Sequence, residues 1–227
     1  MHRPDGDQGA GLWEGFTWEW NEAESEAMLV TGGKTVLVGD LPWTYPSGPQ
    51  CDQCHQAAAY STLGPETAQL NYDIVYAETG NTANQLTTLD AIGYFQSPLS
   101  TSVDELPRLP DPFDETAEIG ARARAYLHSN CAQCHRPGTA NPSSMDWRYQ
   151  TLLENVGACD VENGLGDLGL GAGARLIAPG DSAQSVIVAR MLNRDGEQMP
   201  PLATQIVDAD GVAVVSAWID SLQSCVQ

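Results

Sequence analysis

Lysine is almost missing: Lys34 stands alone beside nine arginines, against 30 aspartates and glutamates, and the formal net charge is −20. A surface this acidic repels phosphates and anionic headgroups and gains nothing from counterion release, which argues against nucleic acid and membrane surfaces as partners. Long apolar runs are missing too. Even GVAVVSAWI near the end stops at Asp220, well short of the roughly 18 residues a bilayer span needs, so no transmembrane segment is expected. The opening MHRPDGDQGAGLW lacks the apolar stretch of a secretory leader. What remains is ordinary: a 42% hydrophobic fraction with 22 glycines excludes disorder and collagen-like repeats. A chain of 227 residues should bury roughly 70% of its unfolded surface. The acidity serves solubility or salt tolerance, or steers a basic redox partner; composition does not separate the two.

The cysteines are the informative feature. Six stand at 51, 54, 131, 134, 159 and 225, and four of them fall into two matching frames, CDQCH at 51-55 and CAQCH at 131-135. Cys-x-x-Cys-His is the attachment pattern of c-type haem. In one helical turn, positions i, i+3 and i+4 share a face, so two thiols form thioethers to the porphyrin while the next imidazole reaches the iron. The spacing therefore makes Cys51, Cys54, Cys131 and Cys134 attachment points for two covalently attached haem c groups, with His55 and His135 as proximal iron ligands. Two other chemistries use Cys-x-x-Cys: a four-cysteine zinc site and an isolated redox dithiol. Neither requires the histidine that follows both pairs here.

Cys159 and Cys225 are left over and are expected to pair as a disulfide in an oxidising compartment. Loop-closure entropy gives such a bridge about 4 kcal/mol. Covalent haem and a disulfide agree on a periplasmic or extracellular location, with a leader expected upstream of this chain.

Few side chains can fill the iron's sixth position. Outside the motifs the histidines are His2 and His128, and the methionines are Met1, Met28, Met145, Met191 and Met199. Met199 has the best context, in the loop GEQMPP, where Pro200 biases it toward extended backbone and the proline pair stiffens the loop. It is read as the distal ligand of the second haem. Met145 in SSMDWRY and His128, three residues before Cys131, are weaker candidates, and Met191 reads as core. Residues 56-127 contain neither His nor Met, so the first haem takes its sixth ligand from outside its own segment or has none. GLGDLG at 164-169 matches a dinucleotide fingerprint, but no strand precedes it, and it reads as a glycine-rich loop.

The expected fold class is mostly α: two cytochrome c-like haem units with a small N-terminal β-ribbon or extended segment. Residues 1-50 form that segment, with AMLV and TVLV flanking a hairpin turn at Gly32 and Gly33. Residues 51-114 form the first haem unit, with helical periodicity in GPETAQL and NTANQLTTLDAIGYF, ending in a proline-rich linker. Residues 115-227 form the second haem domain. There Ile119, Ala123, Tyr126, Leu127 and Asn130 follow helical spacing into the second motif, Asp181 caps SAQSVIVARML, and Asp208 or Asp210 caps a last helix striped by Val212, Val215, Ile219 and Leu222. Trp218 reads as core of that helix.

YPSGPQCDQCHQAAAYSTLG, TAQLN and NQLTTLDAIGYF in the first half, and SNCAQCHRPGT, SSMDWRYQT, GDLGLGAGARLIAPGDSAQSVIVARM, EQMPPLATQIVD and AWIDSL in the second, resemble a group of bacterial diheme c-type cytochromes over roughly residues 42-224. The resemblance implies the same four attachment cysteines, His55 and His135 beneath the irons, and Met199 above the second. It also implies that the Pro137 carbonyl accepts the Nδ1 proton of His135, whereas Ala57 and Ala58 leave His55 without that support. The group tolerates Asp where His128 stands. Some members resemble electron acceptors attached to pyrroloquinoline-quinone dehydrogenases, so the implied partners are a redox protein donor and acceptor, with a quinoprotein dehydrogenase among them. The expected function is single-electron relay. Two alternatives stand beside it: a diheme peroxidase with an open first haem, and an extracellular conduit in which chains assemble and lend ligands such as His2 to neighbours.

Overall fold

The computed structural model describes residues 2–3, 12–202 and 204–226, the strands His2–Arg3 (β1) and Leu12–Trp13 (β2) by backbone alone. The side chain of His2 lies outside the described residues. Antiparallel two-stranded ribbons open the chain. β1 pairs with β2, Thr17–Trp20 (β3) with Ala27–Val30 (β4), and Lys34–Val38 (β5) with Leu41–Tyr45 (β6). Alternation in TWEW gives β3 its in-out burial, and Lys34 reaches Glu19 to tie the two hairpins together.

The hairpin expected at Gly32 and Gly33 does not form. AMLV and TVLV pair with other strands, and the two glycines link the hairpins. Gly33 takes a positive φ of 72° because the backbone there lies against Ser47, where a Cβ would come within 3.0 Å of the Ser47 nitrogen.

The first motif follows β6 in a one-turn helix, Gly48–Cys51 (α1), and a second short helix spans Thr67–Leu70 (α2). The helical reading of NTANQLTTLDAIGYF holds only in part. Its first four residues, Asn81–Asn84 (β8), pair with Asp73–Tyr76 (β7) across the Thr79–Gly80 turn. Asn84 then caps the helix Gln85–Ala91 (α3), its Oδ1 accepting from the backbone of Leu86 and Thr87. The proline-rich segment is anchored along the first unit. The Asn71 amide donates to the carbonyls of Val103, Leu106 and Pro107, and Leu109 is buried.

Helix dominates the second half. Glu118 caps Ile119–Cys131 (α4), accepting from Gly120 at 2.9 Å and Ala121 at 2.7 Å. Asp181 caps a short 3₁₀ turn at Ser182–Gln184, not the helix itself, which begins after the buried Ser185 and spans Val186–Leu192 (α5). Asp208 caps Ala209–Ser221 (α6) through Gly211. The core lies where α4 meets α6: Ala123, Leu127, Val215, Trp218 and Ile219 are fully buried, closed by Trp147, Leu153, Val156 and Ile177. Each such large aliphatic side chain contributes roughly 1.5–3 kcal/mol by leaving water. Cys159 bridges to Cys225 beyond α6, with Cα atoms 5.7 Å apart, so the expected disulfide is present and is consistent with an oxidising compartment.

Of the described residues, 28% are helix and 14% strand, so the structure is mixed where the sequence reads as mostly α, and more than half of the described residues are turn and loop. Among the described residues no helix is long and apolar enough to cross a membrane.

Candidate haem sites

Both motifs adopt one helical turn. The N–H groups of Cys54 and His55 donate to the Cys51 carbonyl at 3.2 and 2.9 Å, and those of Cys134 and His135 donate to the Cys131 carbonyl at 3.1 and 2.9 Å. That turn is what stacks two thiols and an imidazole on one side of the backbone. Their approaches differ. The first turn is started locally, by Gln50 Oε1 accepting from the Ser47 backbone at 2.9 Å. The second is the end of α4 and inherits the rigidity of the buried core.

Each imidazole is oriented through Nδ1, though neither in the manner expected. His55 Nδ1 lies 2.6 Å from the Ser61 carbonyl. A carbonyl only accepts, so Nδ1 carries the proton and Nε2 keeps the lone pair that a metal needs. Left-handed backbone at Tyr60 and Ser61, φ 56° and 58°, turns this carbonyl back toward the ring. The orientation that Ala57 and Ala58 leave unsupported is thus provided by the residues just beyond them. His135 Nδ1 lies 3.2 Å from Ser143 Oγ, and the Asn141 amide nitrogen lies along the ring edge, 3.3 Å from Nδ1 and 3.4 Å from Nε2. The loop after the motif, and not the Pro137 carbonyl, holds it.

His135, Cys131 and Met199 line one cavity of about 610 Å³ beside α4, α5 and the loop after α5. Burial, with the nearby positive charge of Arg190, holds His135 below its ordinary pKa and so keeps it neutral. Burial pushes the Cys131 thiol up to about 12. Met145 lines the same cavity but belongs to the His135 side, because its N–H donates to the Ser143 hydroxyl that faces the imidazole. Met199 arrives from elsewhere, its N–H on the Arg190 carbonyl at 3.0 Å. Met191 is buried in the core as expected, on the wall between them. His55 is exposed, and nothing in the described surroundings of the first motif encloses it comparably.

A comparison with protein families, with curated proteins and with solved structures finds no match for this chain.

The structure brings the two motifs together. Cys134 Sγ lies 4.0 Å from the Gln53 carbonyl, and its nearness to Cys54 holds the Cys54 thiol below its ordinary range, with His55 adding to the effect, and raises Cys134. Around them the Ala140 N–H meets Gln56 Oε1 at 2.6 Å, Arg136 reaches the Ala58 carbonyl at 3.5 Å, and Gln69 reaches Ser129 at 3.2 Å. His128 is buried in this seam. Its Nδ1 accepts from the Tyr149 backbone at 3.1 Å and its Nε2 faces Glu66 at 3.3 Å, so both ring nitrogens are engaged within the protein.

At the second site a thiol, a neutral imidazole and a thioether stand around a largely apolar cavity within the roughly 300–1,000 Å³ range of cofactor sites, a donor set that fits haem, while Cys134 lies outside the lining, against Gln53 in the seam between the motifs. A buried N–H of Arg194 in the wall has no acceptor, which marks a place for an anionic group. Among the described residues no three His, Cys, Asp or Glu side chains gather around one point, and the zinc reading gains no support. Ser61, Ser143 and Glu66 carry no motif of their own. Only the folded loops bring them to the histidines.

Proposed function

We propose that this chain is an exported diheme c-type cytochrome that relays single electrons between a redox protein donor and acceptor, a quinoprotein dehydrogenase being the donor that the sequence resemblance favours. The observation that carries the reading is the seam between the motifs, where Cys134 Sγ lies 4.0 Å from the Gln53 carbonyl and the Ala140 N–H meets Gln56 Oε1 at 2.6 Å. Two attachment turns in contact would hold two haems near one another, and a pair held so is suited to passing charge. Haem supplies one-electron iron chemistry when bound. The protein's part is to position and tune it. His55 presents Nε2 from a ring fixed at Nδ1, His135 and Met199 would supply an imidazole and a soft thioether to the second haem, and the α4–α6 core holds the cavity wall rigid. A neutral His135 needs no deprotonation to act as a ligand.

A pyridine haemochrome spectrum with intact mass tests this on chain matured in an exporting host. Two haem c per chain are expected. Colourless protein, or zinc in place of iron, overturns the reading.

One observation favours a second reading. His55 is exposed and residues 56-127 offer neither His nor Met, so the first iron has no sixth ligand from its own unit. An open position suits peroxide cleavage. A high-spin band in the oxidised spectrum together with peroxide turnover would decide for the peroxidase, and two low-spin haems without turnover decide for the relay.

A further inference from the structure

Thirty acids surround this chain's nine arginines, yet Arg194 pairs with no carboxylate among the described residues. Its guanidinium is held by carbonyls instead: Nη1 donates to Met191 at 2.9 Å and also to Asn193, and Nη2 donates to Ile206 at 2.7 Å. The Nε–H is buried and has no acceptor. A buried charged donor left unsatisfied costs about 1–3 kcal/mol, so its persistence in a cavity wall calls for a partner. Arg190 stands in the last turn of α5, four residues before Arg194, and lines the same cavity. Of its side chain only Nη1 is engaged, on the carbonyl and carboxylate of Glu197 at 3.0 and 3.2 Å. Two cations thus line a cavity whose two acids are engaged elsewhere, Asp208 with Tyr126 and Gly211 and Glu162 with Arg175 at 3.8 Å.

Resting on the haem reading above, we propose that Arg194, seconded by Arg190, receives the carboxylates of the group bound in this cavity, the two propionates of the second haem. A guanidinium fork matches a carboxylate geometrically and keeps its charge at every accessible pH. Arg194 is then a positioning and tuning residue: its charge compensates the propionates and favours the reduced, less positive iron.

The test is an equilibrium redox titration of the matured chain, after haem counting on the wild type. Arg194→Gln should retain two haems and lower the potential of the second alone, shifting its reduced-to-oxidised ratio at fixed applied potential about tenfold, or about 59 mV for a one-electron couple. Arg194→Lys should recover part of that shift. Arg122→Gln removes one charge from α4 outside the cavity, where Arg122 bonds the Pro112 carbonyl, and should leave both potentials in place. If Arg194→Gln fails to mature, Arg190→Gln is titrated instead, with a shift in the same direction. The proposal is overturned if Arg194→Gln and Arg122→Gln behave alike, or if neither cavity variant moves the second haem while the wild type carries two. A wild type without haem removes the functional reading itself, and this inference with it.

Discussion

Glu66 of the first unit faces His128 of the second, Oε2 to Nε2 at 3.3 Å, and the same carboxylate's other oxygen lies 3.6 Å from Arg136. Glu66 also stands at the start of α2, so one residue begins a helix and joins the two segments that carry the motifs. His128 is the more buried partner. Because its Nδ1 accepts from the Tyr149 backbone, the proton of the neutral ring resides on Nε2, pointing at the carboxylate.

Acid should loosen this seam. Burial lowers the His128 pKa, Arg136 and Arg148 push the same way, and Glu66 opposes them without prevailing. The unfolded imidazole titrates near 6.5, so below that pH the unfolded chain binds more protons than the folded one. Stability is therefore complete at neutral pH and is lost as pH falls from about 6.5 through the depressed folded value. Urea unfolding of the matured chain at pH 7.5 and 5.5 should show a lower midpoint at the acid end. His128→Gln should flatten that slope. An equal slope in the variant would assign the acid loss to other groups.

Glu66→Gln removes the carboxylate from both partners while leaving a side chain that can still cap α2. The expected loss is about 0.5–1.5 kcal/mol at pH 7, the net worth of a typical hydrogen bond. It should also weaken the pairing of the motifs. Redox titration of both haems in this variant checks the second effect, since a loosened seam should bring the two potentials closer to independent behaviour.

The local geometry of the two motifs was more legible in the sequence than the architecture. Cys51, Cys54, His55, Cys131, Cys134 and His135 declare themselves by spacing within five residues, and the fold keeps each set on one turn. Helices with strong caps and stripes, α4 and α6, were equally readable, because Glu118, Asp208 and the buried Val215 and Ile219 act within a few residues of one another. Hairpin partners were not. AMLV has two β-forming neighbours, TWEW and TVLV, and alternation alone does not choose between them. The supports of the imidazoles failed to show as well, because the Ser61 carbonyl and the Ser143 hydroxyl act through loop geometry.

Met199 and Met145 share a cavity but not a role. Met145 is tied to the loop that holds His135, on the proximal side, whereas Met199 is carried by the segment beyond α5. Met199→Ala should turn one haem of two high-spin and leave the other unchanged in the oxidised optical spectrum. Met145→Ala should leave both low-spin features of the second haem in place. The reverse pattern would make Met145 the ligand.

Cys225→Ser should destabilise the chain by about 4 kcal/mol, the loop-closure value for 66 residues. The closed loop contains α5, Met199 and α6, which form much of the cavity wall. Its loss should therefore also release Met199 from iron at lower urea concentration than global unfolding, seen as early loss of the thioether-ligated spectrum. Coincident transitions would separate the disulfide from the site.

Gly211 sits beneath the ring of Tyr126, where an added Cβ would come within 2.2 Å of the ring's Cζ and 2.3 Å of its hydroxyl oxygen. The absence of a side chain lets α6 approach α4 closely enough for the Tyr126 hydroxyl to donate to Asp208 at 2.9 Å, while the other oxygen of Asp208 accepts from the Gly211 backbone. Burial and this carboxylate together keep the phenol protonated. Alanine is ordinarily the better helix former, by about 1 kcal/mol, so a stabilising outcome is what local propensity alone dictates. Here overlap with a buried aromatic ring outweighs it, since overpacking costs typically 1–3 kcal/mol and the Tyr126–Asp208 bond must also shift. Gly211→Ala should thus be destabilising by about 1–3 kcal/mol in urea unfolding. A companion Tyr126→Phe, which keeps the ring and removes the hydroxyl, should lose only the hydrogen bond's share. If Gly211→Ala instead raises stability, the close approach of α4 and α6 at this point is refuted, and with it the position of Asp208 at the cavity's edge.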